Sequence, residues 1–196
     1  MLYLARHGET DWNARSCIQG KTDTSLNAEG RRQAKALADE IRKRQIHPVA
    51  IYTSYLKRAQ ETAGIVGNII GITPTVIPGI EEMNFGRWEG LSWNSVPVLY
   101  PEQYEEWIKN RRYVPTPNGE SYQDVLDRLL PALLEISRKH EQSEAIVINH
   151  SANIRTLLSY INDTAFSQMA KLYHPRNAQL ITFDETKLQN TGVSNE

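Results

Sequence analysis

The sequence predicts an α/β fold, a three-layer α/β/α sandwich in which a mostly parallel sheet lies between two layers of helices. Short apolar runs typical of buried strands alternate with longer segments whose apolar residues recur at helical spacing. The 196 residues, 40% hydrophobic and 23% charged, have the composition of an ordinary globular protein. We therefore expect one domain, residues 1–196, built around one buried sheet.

Strands and helices alternate in the first part of the chain. The run LYLAR at residues 2–6 is short and mostly apolar, and Gly8 follows it, which is the pattern of a buried strand leading into a loop. The segment 25–44 contains Asn27, a residue type that caps helices, followed by an apolar stripe at helical spacing. The elements predicted here are strands at residues 2–6, 49–54 and 75–78 and helices at residues 25–44 and 56–70.

The alternation breaks between Met83 and Asn118. This segment contains four prolines and seven aromatic residues, and we expect a helical and loop insertion, or lid, at about residues 83–118 over the active site. Regular elements then resume, and the polar tail after Asp184 is expected to fray. The elements predicted here are helices at residues 121–140, with a kink at Pro131, and 151–161, and strands at residues 145–149 and 178–183.

Charge and cysteine content restrict the function classes. The formal net charge of -1 argues against a global attraction for nucleic acid or an anionic membrane, so an anion site must rest on local arginines. Cys17 is the single cysteine, so no intramolecular disulfide can form, and we expect a cytoplasmic protein. Arg6 interrupts the N-terminal apolar run, and no later run approaches membrane-spanning length. The expected partner is a small molecule, and the sequence does not predict an oligomeric state.

Several familiar chemistries fail on spacing. The tripeptide GKT at residues 20–22 resembles the end of a P-loop, but the position of that motif's first glycine holds Arg15. A cysteine phosphatase requires an arginine six residues after its cysteine, and the residue six positions after Cys17 is Asp23. Histidines at metal-ligand spacing, a D-x-D pair and an H-E-x-x-H motif are also missing from the sequence. We therefore expect neither a metal nor a cofactor.

Two of the predicted strands end at a histidine. LYLARH ends at His7 and AIVINH ends at His150, and parallel α/β sheets bind ligands beyond the carboxyl ends of their strands. Arg6 precedes the first histidine, and Arg58 lies near the start of the helix after the strand at 49–54. Together these side chains would form a cationic pocket suited to a phosphoryl group, whose oxygens accept guanidinium N–H groups.

Five segments in order resemble the histidine phosphatase superfamily, also called phosphoglycerate mutase-like: RHGETDWN, GKTDTSLNAEGRRQA, YTSYLKRAQETA, IEEMNFGRWEG and INHSANIR. The resemblance extends over nearly the whole chain. It implies a single phosphoglycerate mutase-like domain that hydrolyses small phosphomonoesters without a metal, through a phosphohistidine intermediate.

The resemblance also implies roles for individual residues. His7 is the implied nucleophile, and its cationic neighbours should lower its pKa and keep it neutral. Gly8 follows the nucleophile as in the family, and its missing Cβ is expected to let the backbone approach a ligand. The transition state is stabilised mainly by donors to the phosphoryl oxygens. The residues implied to contact those oxygens are Arg6, Asn13, Gln19, Arg58 and His150.

A carboxyl group must supply a proton to the leaving oxygen. The resemblance places this acid four residues before Gly86, which is Glu82, with Glu81 as the competitor. The same group, as a carboxylate, would then activate water against the phosphohistidine. Ser151 departs from the family, which often has glycine after the second histidine, and its hydroxyl is expected to cap the next helix.

The short segment between the proposed acid and the second histidine, with the motif MNFGRWEGL, resembles the phosphatase branch of the family. The alternatives are a cofactor-dependent phosphoglycerate mutase and a specialised phosphatase acting on α-ribazole phosphate or a sugar bisphosphate. A different class is a catalytically inactive binding module that retains the pocket. The lid aromatics would either form an apolar wall for the substrate or pack the insertion onto the sheet.

Overall fold

The computed structural model describes residues 1–183 and Lys187, and its centre is a five-stranded sheet with strand order β3-β2-β4-β1-β5. Strands β1 to β4 pair in parallel, and β5 pairs with β1 in the antiparallel direction. The predicted mostly parallel sheet is therefore confirmed. The strands are β1 (Leu2–Arg6), β2 (Pro48–Thr53), β3 (Thr75–Val76), β4 (Glu144–Asn149) and β5 (Leu180–Phe183).

Helices cover both faces of the sheet, as the three-layer prediction requires. Side chains alternate along β1, so Leu2 and Leu4 pack on one face in a core with α6 and α7, while Tyr3 and Ala5 pack on the other with α2 and α3. The helices are α1 (Asp11–Ala14), α2 (Ala28–Lys43), α3 (Lys57–Ile70), α4 (Val96–Leu99), α5 (Pro101–Lys109), α6 (Tyr122–Lys139), α7 (Ser151–Ile161) and α8 (Met169–Leu172).

Two element ends differ from the prediction for reasons visible in the hydrogen bonds. Helix α2 begins at Ala28 rather than at residue 25, because the Asn27 side chain accepts the backbone N–H of Gly30 and caps the helix. The last strand begins at Leu180 rather than at residue 178. Ala178 adopts a left-handed conformation, and its N–H donates to the carbonyls of Arg6, the last residue of β1, and His7 instead of continuing the ladder.

Two further expectations concern helix ends and interiors. The cap position of α7 is His150, without a side-chain capping bond, and Ser151 is the first helical residue. The expected Ser151 cap is therefore wrong. Helix α6 runs without interruption through Pro131.

The polar tail after Asp184, which was expected to fray, lies outside the described residues apart from Lys187.

Residues 83–118 contain a short 3-10 turn (Gly86–Trp88), α4 and α5. Trp88 and Trp107 are buried, 0% and 2% exposed, and their rings pack edge to face with centroids 5.2 Å apart. Phe85, Trp88 and Trp107 belong to the same buried core as Leu2 and Leu4 of β1, so these aromatic residues pack the insertion onto the rest of the fold. Within residues 1–183 and at Lys187, no helix is long and apolar enough to cross a membrane.

Candidate active site

The register of the sheet brings His7 and His150 together. Strands β1 and β4 are parallel neighbours in which Arg6 pairs with Asn149, and each histidine is the next residue along its strand. Their ring centroids are 5.2 Å apart. Two histidines separated by most of the chain therefore lie side by side at the carboxyl edge of the sheet.

His7 is buried, and its protonation is fixed by one hydrogen bond. Its Nδ1 lies 2.7 Å from the carbonyl oxygen of Gly8, and because a carbonyl only accepts, Nδ1 must carry the proton. Burial, followed by the charges of Arg58 and Arg6, holds the pKa of His7 well below its usual value. The ring is therefore neutral at physiological pH, and Nε2 carries a free lone pair.

Gly8 serves a different purpose from the expected approach to a ligand. A Cβ built on Gly8 would lie 2.5 Å from the carbonyl oxygen of Gly30 in the first turn of α2. The N–H of Gly8 donates to Thr62 Oγ1 at 3.0 Å. The missing side chain thus lets the loop that carries His7 pack directly against helix backbone, and the expected approach of the Gly8 backbone to a ligand stays a prediction.

His150 is completely buried and contacts Ser54, the first residue after β2. Its Nε2 lies 2.8 Å from Ser54 Oγ, while its Nδ1 is buried and has no hydrogen-bond partner among the residues that the structure describes. Burial and then the charge of Arg58 hold the pKa of His150 well below its usual value. His150 is therefore neutral as well.

Arg6 and Arg58 supply positive charge on two sides of the histidine pair. Arg6 donates to the carbonyl of Pro175 at 2.9 Å, and burial lowers its pKa to about 10, so it remains charged at neutral pH. Arg58 is fully buried in the first turn of α3, and burial lowers its pKa also. Its terminal nitrogens donate to the carbonyls of Gly20 and Thr22 at 2.6 and 2.9 Å. Arg58 thus lies between the histidines and the loop at residues 20–22.

That loop is held from its other side by Glu89, which the sequence did not single out. The carboxylate of Glu89 accepts the backbone N–H groups of Lys21 and Thr22, at 2.9 and 3.0 Å, and the hydroxyl of Thr22. It also accepts the N–H of Phe85 at the start of the insertion. Glu89 and Arg58 therefore fix the loop between them and link it to the insertion.

Two amide side chains line the cavity, and the bonds to their oxygens indicate their orientation. Gln19 Oε1 accepts from the hydroxyls of Thr10 and Thr24, at 2.9 and 2.6 Å. Asn13 Oδ1 accepts from Thr10 N–H at 3.1 Å and from Asn177 Nδ2 at 3.3 Å. With both oxygens occupied, the NH₂ groups are left to donate to a ligand.

Glu82 lies at the N-terminus of α7, opposite the arginines. Its carboxylate oxygens accept the N–H groups of Met83, Ala152 and Asn153, at 3.1, 3.3 and 3.4 Å, and the residue is 6% exposed. Glu81, the competing carboxyl, instead binds the N–H of Gly79 at 2.8 Å. Of the two, Glu82 lines the cavity.

These residues surround a cavity of about 230 Å³. Arg6, His7, Asn13, Gln19 and Glu82 line it, and Arg58 and His150 are buried next to His7. The wall also contains residues that the sequence did not assign to the site. They include Cys17, Phe85, Tyr122 and Arg155, and the wall also contains Trp93, one of the aromatic residues weighed as a substrate wall, and Ser151.

Arg155 and Tyr122 are two further polar residues in the wall of the cavity. Arg155, on the first turns of α7, is anchored by a bond from Nε to the carbonyl of Tyr173 at 3.0 Å. Burial raises the pKa of Tyr122, which remains a neutral hydroxyl. Arg155 was not predicted from the sequence; it follows Ser151 by four residues in α7, a spacing that puts two side chains on one helix face and could have found it.

Comparison with known proteins is consistent with this geometry. The sequence profile of the histidine phosphatase superfamily (branch 1) matches residues 2–194. A metal-independent phosphoserine phosphatase of Arabidopsis thaliana is 36% identical over 174 residues, which cover 87% of this chain and 71% of that protein.

Two solved structures share the fold. A mycobacterial glucosyl-3-phosphoglycerate phosphatase is 30% identical with a TM-score of 0.78, over 91% of this chain and 90% of that one. A phosphoserine phosphatase of Entamoeba histolytica, solved with 3-phosphoglyceric acid, is 27% identical with a TM-score of 0.79, over 91% of this chain and 87% of that one. The chain belongs to the histidine phosphatase superfamily, branch 1.

Proposed function

We propose that this protein is a metal-independent phosphatase that hydrolyses small phosphomonoesters through a phosphohistidine on His7. The observation that carries the proposal is the fixed, neutral state of His7. Its Nδ1 proton is held by the carbonyl of Gly8, so Nε2 offers a lone pair beside a cavity lined by Arg6 and Glu82. The membership of the family and the phosphatases among its relatives support the same reaction class.

In the first step, His7 Nε2 forms a bond to phosphorus as the bond from phosphorus to the ester oxygen breaks. Glu82 donates its proton to the departing oxygen and becomes a carboxylate. In the second step, this carboxylate takes a proton from water, whose oxygen attacks phosphorus as the phosphorus–nitrogen bond breaks. Phosphate leaves, and His7 and protonated Glu82 are restored.

The phosphoryl oxygens would be held by donors that the protein fold has already oriented. Arg6 supplies a guanidinium, and the NH₂ groups of Asn13 and Gln19 are left free by the bonds to their oxygens. Arg58 contributes positive charge next to the nucleophile, and the ring of His150, 5.2 Å from that of His7, contributes a further donor. Such preoriented donors stabilise the charge that develops on the oxygens in the transition state.

The part of the cavity wall formed by Tyr122, Ser151 and Arg155 favours substrates that carry a second anionic group. Arg155 is anchored through Nε, and its guanidinium lines the cavity together with Tyr122 and Ser151. Phe85 and Trp93 supply an apolar side to the same wall. A small organic phosphate with a carboxylate, or with a second phosphate, satisfies this pattern. We also propose that the protein is cytoplasmic, which its single cysteine supports.

The test is phosphate release by chelator-treated protein from a panel of esters: phosphoserine, 3-phosphoglycerate, sugar monophosphates and bisphosphates, and an ester with an uncharged organic group. We expect release by the wild type, none by His7→Ala, and full activity in His47→Ala, which removes an exposed histidine outside the site. Full activity in His7→Ala, or interconversion of phosphoglycerates without phosphate release, would overturn the proposal.

A further inference from the structure

Among the residues that the structure describes, Ser54 is the one hydrogen-bond partner of the imidazole ring of His150. It is completely buried at the end of β2, and its Oγ lies 2.8 Å from Nε2 of His150. The backbone N–H of Leu56 points to the same Oγ at 3.4 Å. The other ring nitrogen of His150, Nδ1, has no partner within residues 1–183 or at Lys187.

The positions of the protons follow from this arrangement. A neutral imidazole carries one N–H, and a hydroxyl donates one hydrogen bond. In the described part of the chain, Nε2 of His150 is the only acceptor bonded to the Ser54 hydroxyl. If Nε2 carried the proton, both the hydroxyl hydrogen of Ser54 and the Nδ1 lone pair would be buried without a partner, whereas with the proton on Nδ1 only that N–H lacks one. Each buried unpaired group costs about 1–3 kcal/mol, so the second arrangement is favoured. The hydroxyl therefore donates to Nε2, and the proton of His150 resides on Nδ1.

We propose that Ser54 is a positioning residue that holds His150 in the Nδ1-protonated tautomer, so that Nδ1–H donates to the phosphoryl group on His7. The inference rests on the proposed function. Both histidines then have the same tautomer, with the proton on Nδ1. At His7, Nδ1–H donates to the carbonyl of Gly8 and Nε2 attacks the substrate. At His150, Nε2 accepts from the hydroxyl of Ser54 and Nδ1–H donates to the phosphoryl group. Without Ser54, His150 is free to present a lone pair to the phosphoryl oxygens, which repels them.

The tautomer is measured by long-range ¹H–¹⁵N correlation spectra of the substrate-free protein, with the His150 signals assigned by their loss in His150→Ala. We expect Nδ1 protonated and Nε2 unprotonated in the wild type, and a shift of the proton towards Nε2 in Ser54→Ala. A wild-type spectrum with the proton on Nε2 would overturn the inference. This measurement needs no turnover, so it gives its answer even if the protein releases no phosphate.

The kinetic arm uses a double-mutant cycle. Ser54→Ala should lower kcat about 10²-fold, the usual effect of losing one donor to a transition-state oxygen, and it should cost nothing further when His150 is already alanine. Ser159→Ala is the matched control, because it removes another fully buried hydroxyl, one outside the catalytic cavity, and should leave kcat unchanged. A kcat within twofold of wild type in Ser54→Ala, or an undiminished loss in the His150→Ala background, contradicts the positioning role.

Discussion

Replacing Gly8 by alanine tests how the nucleophile is held. The added Cβ would lie 2.5, 3.0 and 3.1 Å from the carbonyl oxygen, carbonyl carbon and Cα of Gly30, all of which are backbone atoms. The helix cannot easily yield, because the N–H of Gly30 is bonded to Asn27, and the N–H of Asn27 is bonded to the carbonyl of Glu9. Relief to ordinary contact requires the His7 loop or the start of α2 to move by about 0.9 Å.

We expect Gly8→Ala to lower the free energy of unfolding by about 1–3 kcal/mol, the usual range for overpacking. Because Gly8 also accepts the Nδ1 proton of His7, a displacement of this size should lower kcat about 10²-fold. Urea unfolding and steady-state kinetics measure the two effects. Gly64→Ala is the control: nothing lies within 4 Å of its added Cβ in α3, so it should stabilise by about 0.5–1 kcal/mol. Gly8→Ala with wild-type stability and kcat would refute the packing argument.

Three further changes have defined outcomes. Glu89→Gln places an amide nitrogen against two of the donors now bound to the carboxylate. It should lower the free energy of unfolding in urea by about 2 kcal/mol, and it should also lower kcat. An unchanged kcat would show that the loop at 20–22 does not orient Arg58. Arg155→Gln should raise KM at least tenfold for esters with a second anionic group and leave the uncharged ester unaffected; an equal loss for both would contradict the proposed subsite. Burial lowers the pKa of His140 from 6.5, so the folded protein binds fewer protons than the unfolded chain below that pH, and stability falls as pH falls. His140→Gln should make the decline in unfolding free energy below pH 6.5 shallower, and an unchanged slope would contradict this assignment.

The residues that could be predicted as neighbours from the sequence are those whose positions depend on sheet topology. Parallel strands deliver their ends to one edge, so strand-end histidines at residues 7 and 150 were predictable as neighbours without any side-chain information. The cap residue Asn27 was recognisable because capping depends on residues three apart. Rules of local structure and sheet topology were thus sufficient to predict the Asn27 cap and the pair of neighbouring histidines.

The remaining features depend on contacts between segments far apart in the chain. The role of Gly8 is set by Gly30, and the importance of Glu89 comes from a loop nearly seventy residues earlier. Ser54 follows a predicted strand and so shared the edge signal, but its bond to His150 required the actual strand order. Such pairings are fixed by packing, which a single sequence does not display.

The most direct test of the account is the detection of a phosphorylated residue during turnover. The chelator-treated protein is mixed with phosphoserine, quenched within milliseconds under alkaline conditions that preserve phosphohistidine, and digested for mass spectrometry. The account predicts phosphate on His7 Nε2 during turnover of the wild type, and no phosphorylated residue in His7→Ala. Phosphate release with no phosphorylated His7 at any quench time, or phosphate found on another residue, would contradict it.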